Sequence, residues 1–435
     1  MEDTRKSRRV EINGILTAVS SKPTGPGRIH PLTDIDHAMD QHTVHVIFYY
    51  RRSPFSSFDL DSVRVSLSEL LSFYPPVTGR VARNPETRKW EVKCNDAGVR
   101  ILKARVGVGL DEWLRSADGN EERDLTVWEA MPEDPSIWSP FRIQINEFEG
   151  GGAAIGLSCS HKQADPTSLI FLFKSWTEAQ RRQPISHPPS FSPLINTNAV
   201  NSPSLETPTT ATATATATFR FSAYAFRRCL EESVAGIFPD ASPFDVFAAL
   251  FSSRIANAKR DHSRNRSSVT ICVDIRRLLP DPVPYGFFGN ALHFSSLELS
   301  HTDDTRIGHV ARMINRHVAN LDGDQILSGL KRLGPEAVQM YGSDLTVVSM
   351  EHMVVEGEPS MYEAVFDGGE RPSHVSCMIG NSGREGVIVV TPSPEKGFGR
   401  TVTVTLPEEE TKKLLVDQEI LRFEPEIILS GGVNF

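Results

Sequence analysis

The feature that constrains the fold most is a long break in the middle of the chain. Residues 184–218 contain six prolines and end in an alternation of alanine and threonine over 211–218. Such a composition buries too little apolar surface to form a core and predicts an exposed linker. The alternation has the period of a strand, but its side chains are too small to anchor a sheet, so we expect a loop there. The sequence therefore predicts two domains, 1–183 and 219–435, joined by the linker 184–218.

The length of the chain and its secondary-structure patterns agree with this division. A chain of 435 residues is too long for one compact core. Both halves mix β-branched runs, which favour strands, with apolar residues at helical spacing. Strands are expected at 44–50, 90–94, 99–104, 143–148, 153–159, 268–274, 386–391 and 400–405, and helices at 60–73, 243–259 and 408–415. The predicted fold class is α/β, with mixed sheets and helices in each half.

Composition excludes several functional classes. The net charge is −9 and the basic residues are scattered, which argues against a nucleic-acid partner. The cysteines are five, an odd number, and lie far apart, so neither a disulfide framework nor a metal site is expected. Residues 1–9 are charged and do not resemble a secretory signal. No apolar run approaches the ~20 residues that cross a bilayer. We expect a cytoplasmic protein without a membrane span.

The most informative stretch surrounds His161. Small residues over 153–160 predict a buried strand, and His161 follows directly. Asp165 precedes Pro166 and an apolar run, a pattern typical of a helix whose N-cap is aspartate and whose first residue is proline. The histidine is therefore expected in a fixed turn between strand and helix. From spacing alone, a merely hydrogen-bonded histidine and a merely capping aspartate remain the commoner outcomes, and this pair offers too few ligands for zinc.

Three further motifs accompany the His161-Lys-Gln-Ala-Asp165 segment. They are YPPVTGR at 74–80, VDIR at 273–276 and YGFFGN at 285–290. In order and approximate spacing, the set resembles the plant BAHD (HxxxD-type) acyltransferases across nearly the whole chain. Each motif is weak by itself, but the combination is specific.

The resemblance implies a fold and a site. Members of this family have two similar α/β domains with a solvent channel between them. A CoA thioester would then be a substrate, with no tightly bound cofactor and no metal, and the protein would act as a monomer on small molecules. His161 would be the general base that takes the proton of the attacking hydroxyl or amine. Asp165 would be structural, supporting the His161 turn by pairing with Arg276.

A basic segment follows the predicted helix 243–259. The resemblance assigns Lys259, Arg260 and Arg264 to the phosphates of CoA. A basic cluster at a helix end is otherwise a solvated surface or a complement to the helix dipole. Both interpretations stay open on the sequence alone.

The chain departs from the family pattern at one motif. The family has Asp-Phe-Gly-Trp-Gly, but here Val365 replaces the aspartate and the tryptophan is absent. Arg371, nearby, is expected either to face solvent or to replace the lost interaction. Two branches resemble this erosion: coumarin synthases, which isomerise and internally lactonise ortho-hydroxylated hydroxycinnamoyl-CoA, and eceriferum-type proteins of very-long-chain wax synthesis.

Of these branches, the sequence favours the coumarin-synthase-like one. The intact His161 and its polar neighbours Ser160, Lys162 and Gln163 indicate real chemistry. The expected substrate is a hydroxycinnamoyl-CoA thioester of phenylpropanoid metabolism. The alternatives are an ordinary O- or N-acyltransferase with an external alcohol or amine, and a non-catalytic eceriferum-like accessory protein.

Overall fold

The computed structural model describes residues 9–55, 60–192, 194, 213–258, 266–300, 306–332, 340–342, 344–383 and 385–431. The strands of the first half are β1 (Val10–Ala18), β2 (Ile29–Pro31), β3 (Thr43–Tyr50), β4 (Arg80–Arg83), β5 (Trp90–Lys93), β6 (Val99–Gly109), β7 (Phe141–Glu149) and β8 (Ala153–Ser160). Its helices are α1 (Asp34–Ala38), α2 (Leu60–Leu71), α3 (Pro75–Thr78), α4 (Leu110–Ser116), α5 (Gly119–Arg123) and α6 (Pro166–Gln180).

The second half also mixes strands and helices. Its strands are β9 (Thr214–Phe221), β10 (Arg266–Asp274), β11 (Leu292–Ser300), β12 (Leu345–Ser349), β13 (Val354–Val355), β14 (Glu358–Pro359), β15 (His374–Gly380), β16 (Val387–Pro392), β17 (Arg400–Pro407) and β18 (Glu426–Ile428). Its helices are α7 (Ala223–Cys229), α8 (Pro243–Ala258), α9 (Ile307–Ala319), α10 (Gly323–Arg332), α11 (Glu408–Leu415) and α12 (Gln418–Leu421). The mixed α/β prediction is confirmed.

Two large mixed sheets organise the molecule. The first has the order β1-β6-β7-β8-β3-β15, and the second has the order β11-β10-β12-β16-β17-β9-β18. Strands β3 and β8 are buried along their whole length, because helices cover one face and loops and short helices the other. The sequence hairpin at 143–159 is confirmed as the antiparallel pair β7–β8.

Strand β9 corrects one prediction. We expected a loop over 211–218, but residues from Thr214 onward form a strand between β17 and β18. Small side chains suffice because the neighbouring strands hold it: the hydroxyls of Thr216 and Thr405 lie 3.0 Å apart across the ladder. The apolar anchors come later in the same strand, where Phe219 and Phe221 are fully buried.

The two halves of the chain are interlocked. Strand β15 belongs to the second half in sequence, yet it pairs with β3 and completes the first sheet. The described start of the linker also contacts the second half, since the backbone N–H of Ser190 donates to the carbonyl of Gly286 at 2.9 Å. Residues 195–212 of the linker lie outside the described residues, and the boundary at 184–218 stays a prediction.

None of the helices in the described ranges combines the length and the apolar composition that a membrane crossing requires. The longest, α8, has 16 residues.

Candidate active site

His161 lies in the turn between strand β8 and helix α6. Strand β8 ends at Ser160, and the backbone N–H of His161 donates to the carbonyl of His42 at 3.0 Å. Asp165 is the N-cap of α6, and its carboxylate accepts from the backbone N–H of Ser168 at 2.8 Å. Pro166 is the first helical residue, so the predicted cap and helix start are confirmed. The turn between them is thereby fixed at both ends.

The imidazole of His161 is completely buried, with 0% of the residue exposed. Its Nε2 lies 3.3 Å from the hydroxyl of Tyr341, and its backbone carbonyl accepts from Nδ2 of Asn290 at 2.7 Å. Among the described residues, Nδ1 has no hydrogen-bond partner. Burial lowers the pKa of His161 to about 4, with a smaller contribution from His42. The imidazole is therefore neutral at physiological pH and can accept a proton.

This pKa differs from the value near 6.5 of an unperturbed histidine. The sequence does not reveal the difference, because it arises from the closed interior around His161. The solvent channel implied by the family resemblance stays a prediction.

The carboxylate of Asp165 is hydrogen-bonded to Arg276, and no hydrogen bond between it and His161 is found among the described residues. Its two carboxylate oxygens lie 2.9 and 3.0 Å from the guanidinium of Arg276, and one oxygen also accepts from the backbone N–H of Ala291 at 3.0 Å. Burial alone would raise the pKa of Asp165, but the Arg276 guanidinium and these hydrogen bonds hold it below the usual range. Asp165 is therefore ionised and saturated with donors, which is the geometry of a supporting residue.

Arg276 also forms an ion pair with Asp274, at the end of β10. Burial by itself would lower the pKa of Arg276. The two carboxylates outweigh this effect and raise the pKa above its usual value. The result is a buried group of one cation between two anions, and it joins the end of β10 to the start of α6. Such a group is costly to assemble, but once formed it fixes the geometry around it.

Asn290 connects His161 to a further buried carboxyl group. Its Nδ2 donates both to the His161 carbonyl and to the carboxyl of Asp36, the latter at 2.8 Å. Burial raises the pKa of Asp36 to about 6. The family resemblance singled out the motif that contains Asn290, but not this role, and Asp36 was not singled out at all.

Other neighbours of the site were missed as well. Tyr341 is 180 residues from His161 in sequence, and His42 packs its ring edge against Tyr341 at a centroid distance of 4.9 Å. Nε2 of His352 lies 2.8 Å from the Thr167 hydroxyl and 3.5 Å from Asp274. None of these residues carries a local signal, because only the tertiary fold brings them to the turn.

The polar neighbours of His161 are all buried. Lys162 pairs with Asp40, and its ammonium lies 4.3 Å from the ring centroid of Trp90. Ser160 and Gln163 are 5% exposed. No hydrogen bond between these three side chains and the His161 imidazole is found within the described ranges. In the sequence, these polar residues indicated catalysis, but in the structure Lys162 forms an ion pair with Asp40.

The basic candidates for CoA phosphates cannot be placed. Helix α8 ends at Ala258, and Lys259, Arg260 and Arg264 lie outside the described residues. Their assignment stays a prediction.

The segment that corresponds to the altered family motif packs through the aromatic side chain of Phe366. Phe366 is buried, with its ring edge-on to those of Trp176, Phe173 and Phe55 at 5.2–5.8 Å. Of the two interpretations of Arg371, the structure supports the solvent-facing one. Its side chain is 54% exposed, and its guanidinium lies 3.9 Å from the carboxylate of Glu358. This packing attaches the 363–370 segment to α6.

Two curated relatives span almost all or most of the chain. The ECERIFERUM 26-like protein of Arabidopsis thaliana is 25% identical over 425 residues, which cover 92% of this chain and 93% of the relative. The hydroxycinnamoyltransferase of Narcissus pseudonarcissus is 24% identical over 344 residues, covering 72% of this chain and 77% of the relative.

The fold is shared with a solved enzyme structure, and the sequence matches a family. The crystal structure of vinorine synthase superimposes with a TM-score of 0.74 at 20% identity, covering 95% of this chain and 98% of that chain. The family described as "Transferase family" matches residues 9–421. This chain therefore belongs to the transferase family that contains the plant BAHD acyltransferases.

Proposed function

We propose that this chain acts on a hydroxycinnamoyl-CoA thioester, with His161 as the general base. The observation that carries the proposal is the neutral, fully buried imidazole of His161. The backbone N–H and carbonyl of this residue are both hydrogen-bonded, and the residue lies next to the Asp165–Arg276 pair. In the reaction, an attacking oxygen gives its proton to His161 and adds to the thioester carbonyl. The C–S bond then breaks, and the CoA thiolate leaves with the proton from the imidazolium. The similarity to a hydroxycinnamoyltransferase supports this class of donor.

We infer that the attacking group is a phenol within the acyl group itself, as in the isomerisation and internal lactonisation of coumarin synthases. The low pKa of His161, about 4, makes it a weak base. A phenol, with a pKa of about 10 like the tyrosine side chain, requires less base assistance than an aliphatic alcohol. A nucleophile tethered to its electrophile also gains from a high effective molarity.

The product distinguishes lactonisation from transfer to an external alcohol or amine. Purified protein is incubated with 6-hydroxyferuloyl-CoA alone, and with feruloyl-CoA plus a panel of alcohols and amines. Lactonisation predicts free CoA and a coumarin without any acceptor. Ester or amide formation from feruloyl-CoA without a coumarin product would establish the ordinary O- or N-acyltransferase instead.

A non-catalytic accessory role in very-long-chain wax synthesis is the second candidate. It is favoured by the similarity to the ECERIFERUM 26-like protein. This candidate predicts no CoA release from any thioester and no effect of His161→Ala on the protein's role. Turnover that depends on His161 would exclude it.

For the phosphates of CoA we retain Lys259, Arg260 and Arg264. Replacing two of them by glutamate should raise the KM for the thioester, and high salt should reduce the change, because exposed charges are screened over ~10 Å at about 0.1 M. An unchanged KM would move the phosphate site elsewhere. We further propose that the protein works as a cytoplasmic monomer, which size-exclusion chromatography and cell fractionation test.

A further inference from the structure

One nitrogen of the His161 imidazole already has an oxygen beside it. Nε2 lies 3.3 Å from the hydroxyl of Tyr341, and the two ring centroids are 5.9 Å apart. Within the described ranges this hydroxyl is the only hydrogen-bonding partner of the imidazole, since Nδ1 has none. A general base must lie within hydrogen-bond reach of the proton that it takes. The Tyr341 oxygen therefore lies where an attacking oxygen would have to bind.

Two aromatic rings hold Tyr341 in this position. His42 and Phe294 pack edge-on against its ring, at centroid distances of 4.9 and 5.1 Å. Nδ1 of His42 donates in turn to the carbonyl of Asn381 at 2.9 Å, which fixes that ring. Tyr341 is 9% exposed and His161 is 0% exposed, so this aromatic group separates the imidazole from solvent.

The backbone after Tyr341 is fixed by a contact between two glycines. Gly342 has a φ of +111° and Gly383 a φ of +80°, which is the region that favours glycine. A Cβ added to Gly383 would lie 2.6 Å from the Cα of Gly342, so neither a side chain nor a looser contact fits there. Gly383 follows Asn381, and the turn that holds His42 therefore also holds Tyr341.

The Tyr341 hydroxyl can fill this position without acting as a nucleophile itself. Burial raises the pKa of Tyr341 well above its usual value, so the phenol keeps its proton. A protonated phenol can donate to the neutral imidazole of His161. The 3.3 Å separation exceeds the ~2.7–2.8 Å that is most common for hydroxyl donors. The contact is therefore weak, and a substrate hydroxyl can replace it.

We propose that Tyr341 determines which nucleophile reaches His161: its hydroxyl keeps water away from Nε2 and yields that position to a substrate hydroxyl. The inference rests on the proposed function, which it deepens by naming the residue that prevents hydrolysis of the thioester. A closed active site suppresses such side reactions by excluding water.

The side reaction that Tyr341 would prevent is defined. A water molecule at Nε2 gives one proton to His161, and its oxygen adds to the thioester carbonyl. The C–S bond breaks, and the CoA thiolate takes the proton from the imidazolium. The products are the free acid and CoA.

Two variants remove the barrier by different amounts. Tyr341→Phe deletes only the oxygen and keeps the ring against His42 and Phe294, whereas Tyr341→Ala opens the whole space. Release of ferulate from feruloyl-CoA is measured without an acceptor. Both variants should release ferulate faster than wild type, and Tyr341→Ala by about tenfold or more, since general-base assistance is worth ~10²–10⁴-fold. Adding His161→Ala to Tyr341→Ala should abolish the gain, because the water then has no base.

Tyr50→Phe is the matched control. Tyr50 is fully buried, and its hydroxyl donates one hydrogen bond, to the Ala364 carbonyl at 2.7 Å. It pairs with Ala153 at the start of β8, whereas His161 follows the end of that strand. The two sites are thus about 20 Å apart along the strand, at ~3.3 Å per residue. Tyr50→Phe should leave ferulate release unchanged.

Exposure of His161 is measured separately from turnover, by modification with diethyl pyrocarbonate and peptide mass spectrometry. The His161 peptide should react slowly in wild type and at least tenfold faster in Tyr341→Ala. His187 is half-buried in the described start of the linker and is the internal reference, which should react equally in every protein.

Faster modification together with His161-dependent ferulate release supports the proposal. It is overturned if His161 of wild type reacts as fast as His187, if the Tyr341 variants change neither readout, or if the gain in ferulate persists without His161. Tyr341→Phe decides the question if Tyr341→Ala does not fold. Unchanged readouts in the Tyr341 variants, with product still formed by wild type, would reject the barrier and keep the proposed function. Faster modification with no thioester consumed by any of the proteins would reject the function and keep Tyr341 as the barrier.

Discussion

The carboxylate of Asp165 meets the guanidinium of Arg276 with both oxygens, at 2.9 and 3.0 Å, and neither residue is exposed to solvent. Since Asp274 shares the same guanidinium, Arg276 is the sole cation that this buried group contains among the described residues. The pair places the start of α6, and with it the His161 turn, against the end of β10.

Replacing Arg276 should destabilise the protein more than replacing Asp165. Arg276→Met leaves two buried carboxylates without a cation, and breaking one side of a buried ion pair typically costs about 3–5 kcal/mol. Asp165→Asn can still cap α6, whereas Asp165→Ala cannot, so alanine should cost about 1 kcal/mol more than asparagine. Urea midpoints of the three variants check this order. Equal midpoints for asparagine and alanine would contradict the capping role.

The pH dependence of kcat/KM should reflect the lowered pKa of His161. The base must be unprotonated in the free enzyme, and burial places its pKa at about 4. The rate should therefore be flat from about pH 5 to 8 and fall only below that range. The profile is measured with the thioester well below its KM. An acidic limb between pH 6 and 7 would show that His161 titrates as if it were hydrated.

Glu122 should limit stability at high pH. It is fully buried and its carboxyl accepts from the Tyr49 hydroxyl at 2.7 Å, and burial raises its pKa. A raised folded-state pKa contributes stability below the unfolded-state pKa, and this contribution is lost as pH rises through the folded-state pKa. Glu122→Gln should thus raise the melting temperature at pH 8 more than at pH 5. A variant that is less stable than wild type at pH 8 would refute this assignment.

Asn290 should support turnover, because it donates a hydrogen bond to the backbone carbonyl of His161. Asn290→Ala removes the donor to the His161 carbonyl and to Asp36, leaving two buried acceptors with one partner fewer. An unsatisfied buried group costs about 1–3 kcal/mol, and we expect the turn to relax and kcat to fall with KM little changed. Asn290→Asp serves as the isosteric control that cannot donate when ionised. Wild-type kcat in a folded Asn290→Ala protein would remove Asn290 from the positioning of His161.

The parts of the structure that the sequence could predict are those with local rules. Asp165 before Pro166 encodes a helix start within two residues, and the glycines at 150–152 separate the two strands of a hairpin. Pairing of Asp165 with Arg276 is not local, and it was expected only because a family resemblance linked the two motifs. The α/β class likewise followed from patterns within single segments.

The rest depends on tertiary contacts that a single sequence does not display. Strand β9 is held by its neighbours Thr405 and Thr403, so its own composition predicted a loop. Tyr341 and His42 reach His161 only after both sheets are assembled, and the lowered pKa of His161 follows from that burial.

The most direct test is the rate of CoA release from 6-hydroxyferuloyl-CoA and feruloyl-CoA by His161→Ala protein, compared with wild type. His187→Ala is the matched control, since His187 is a half-buried histidine in the described start of the linker. General-base assistance is typically worth ~10²–10⁴-fold, so His161→Ala should lower the transfer rate to an alcohol at least 100-fold. Its effect on lactonisation should be smaller, because the phenol is the more acidic nucleophile. His187→Ala should leave both rates unchanged. Wild-type rates in a folded His161→Ala protein would contradict the account.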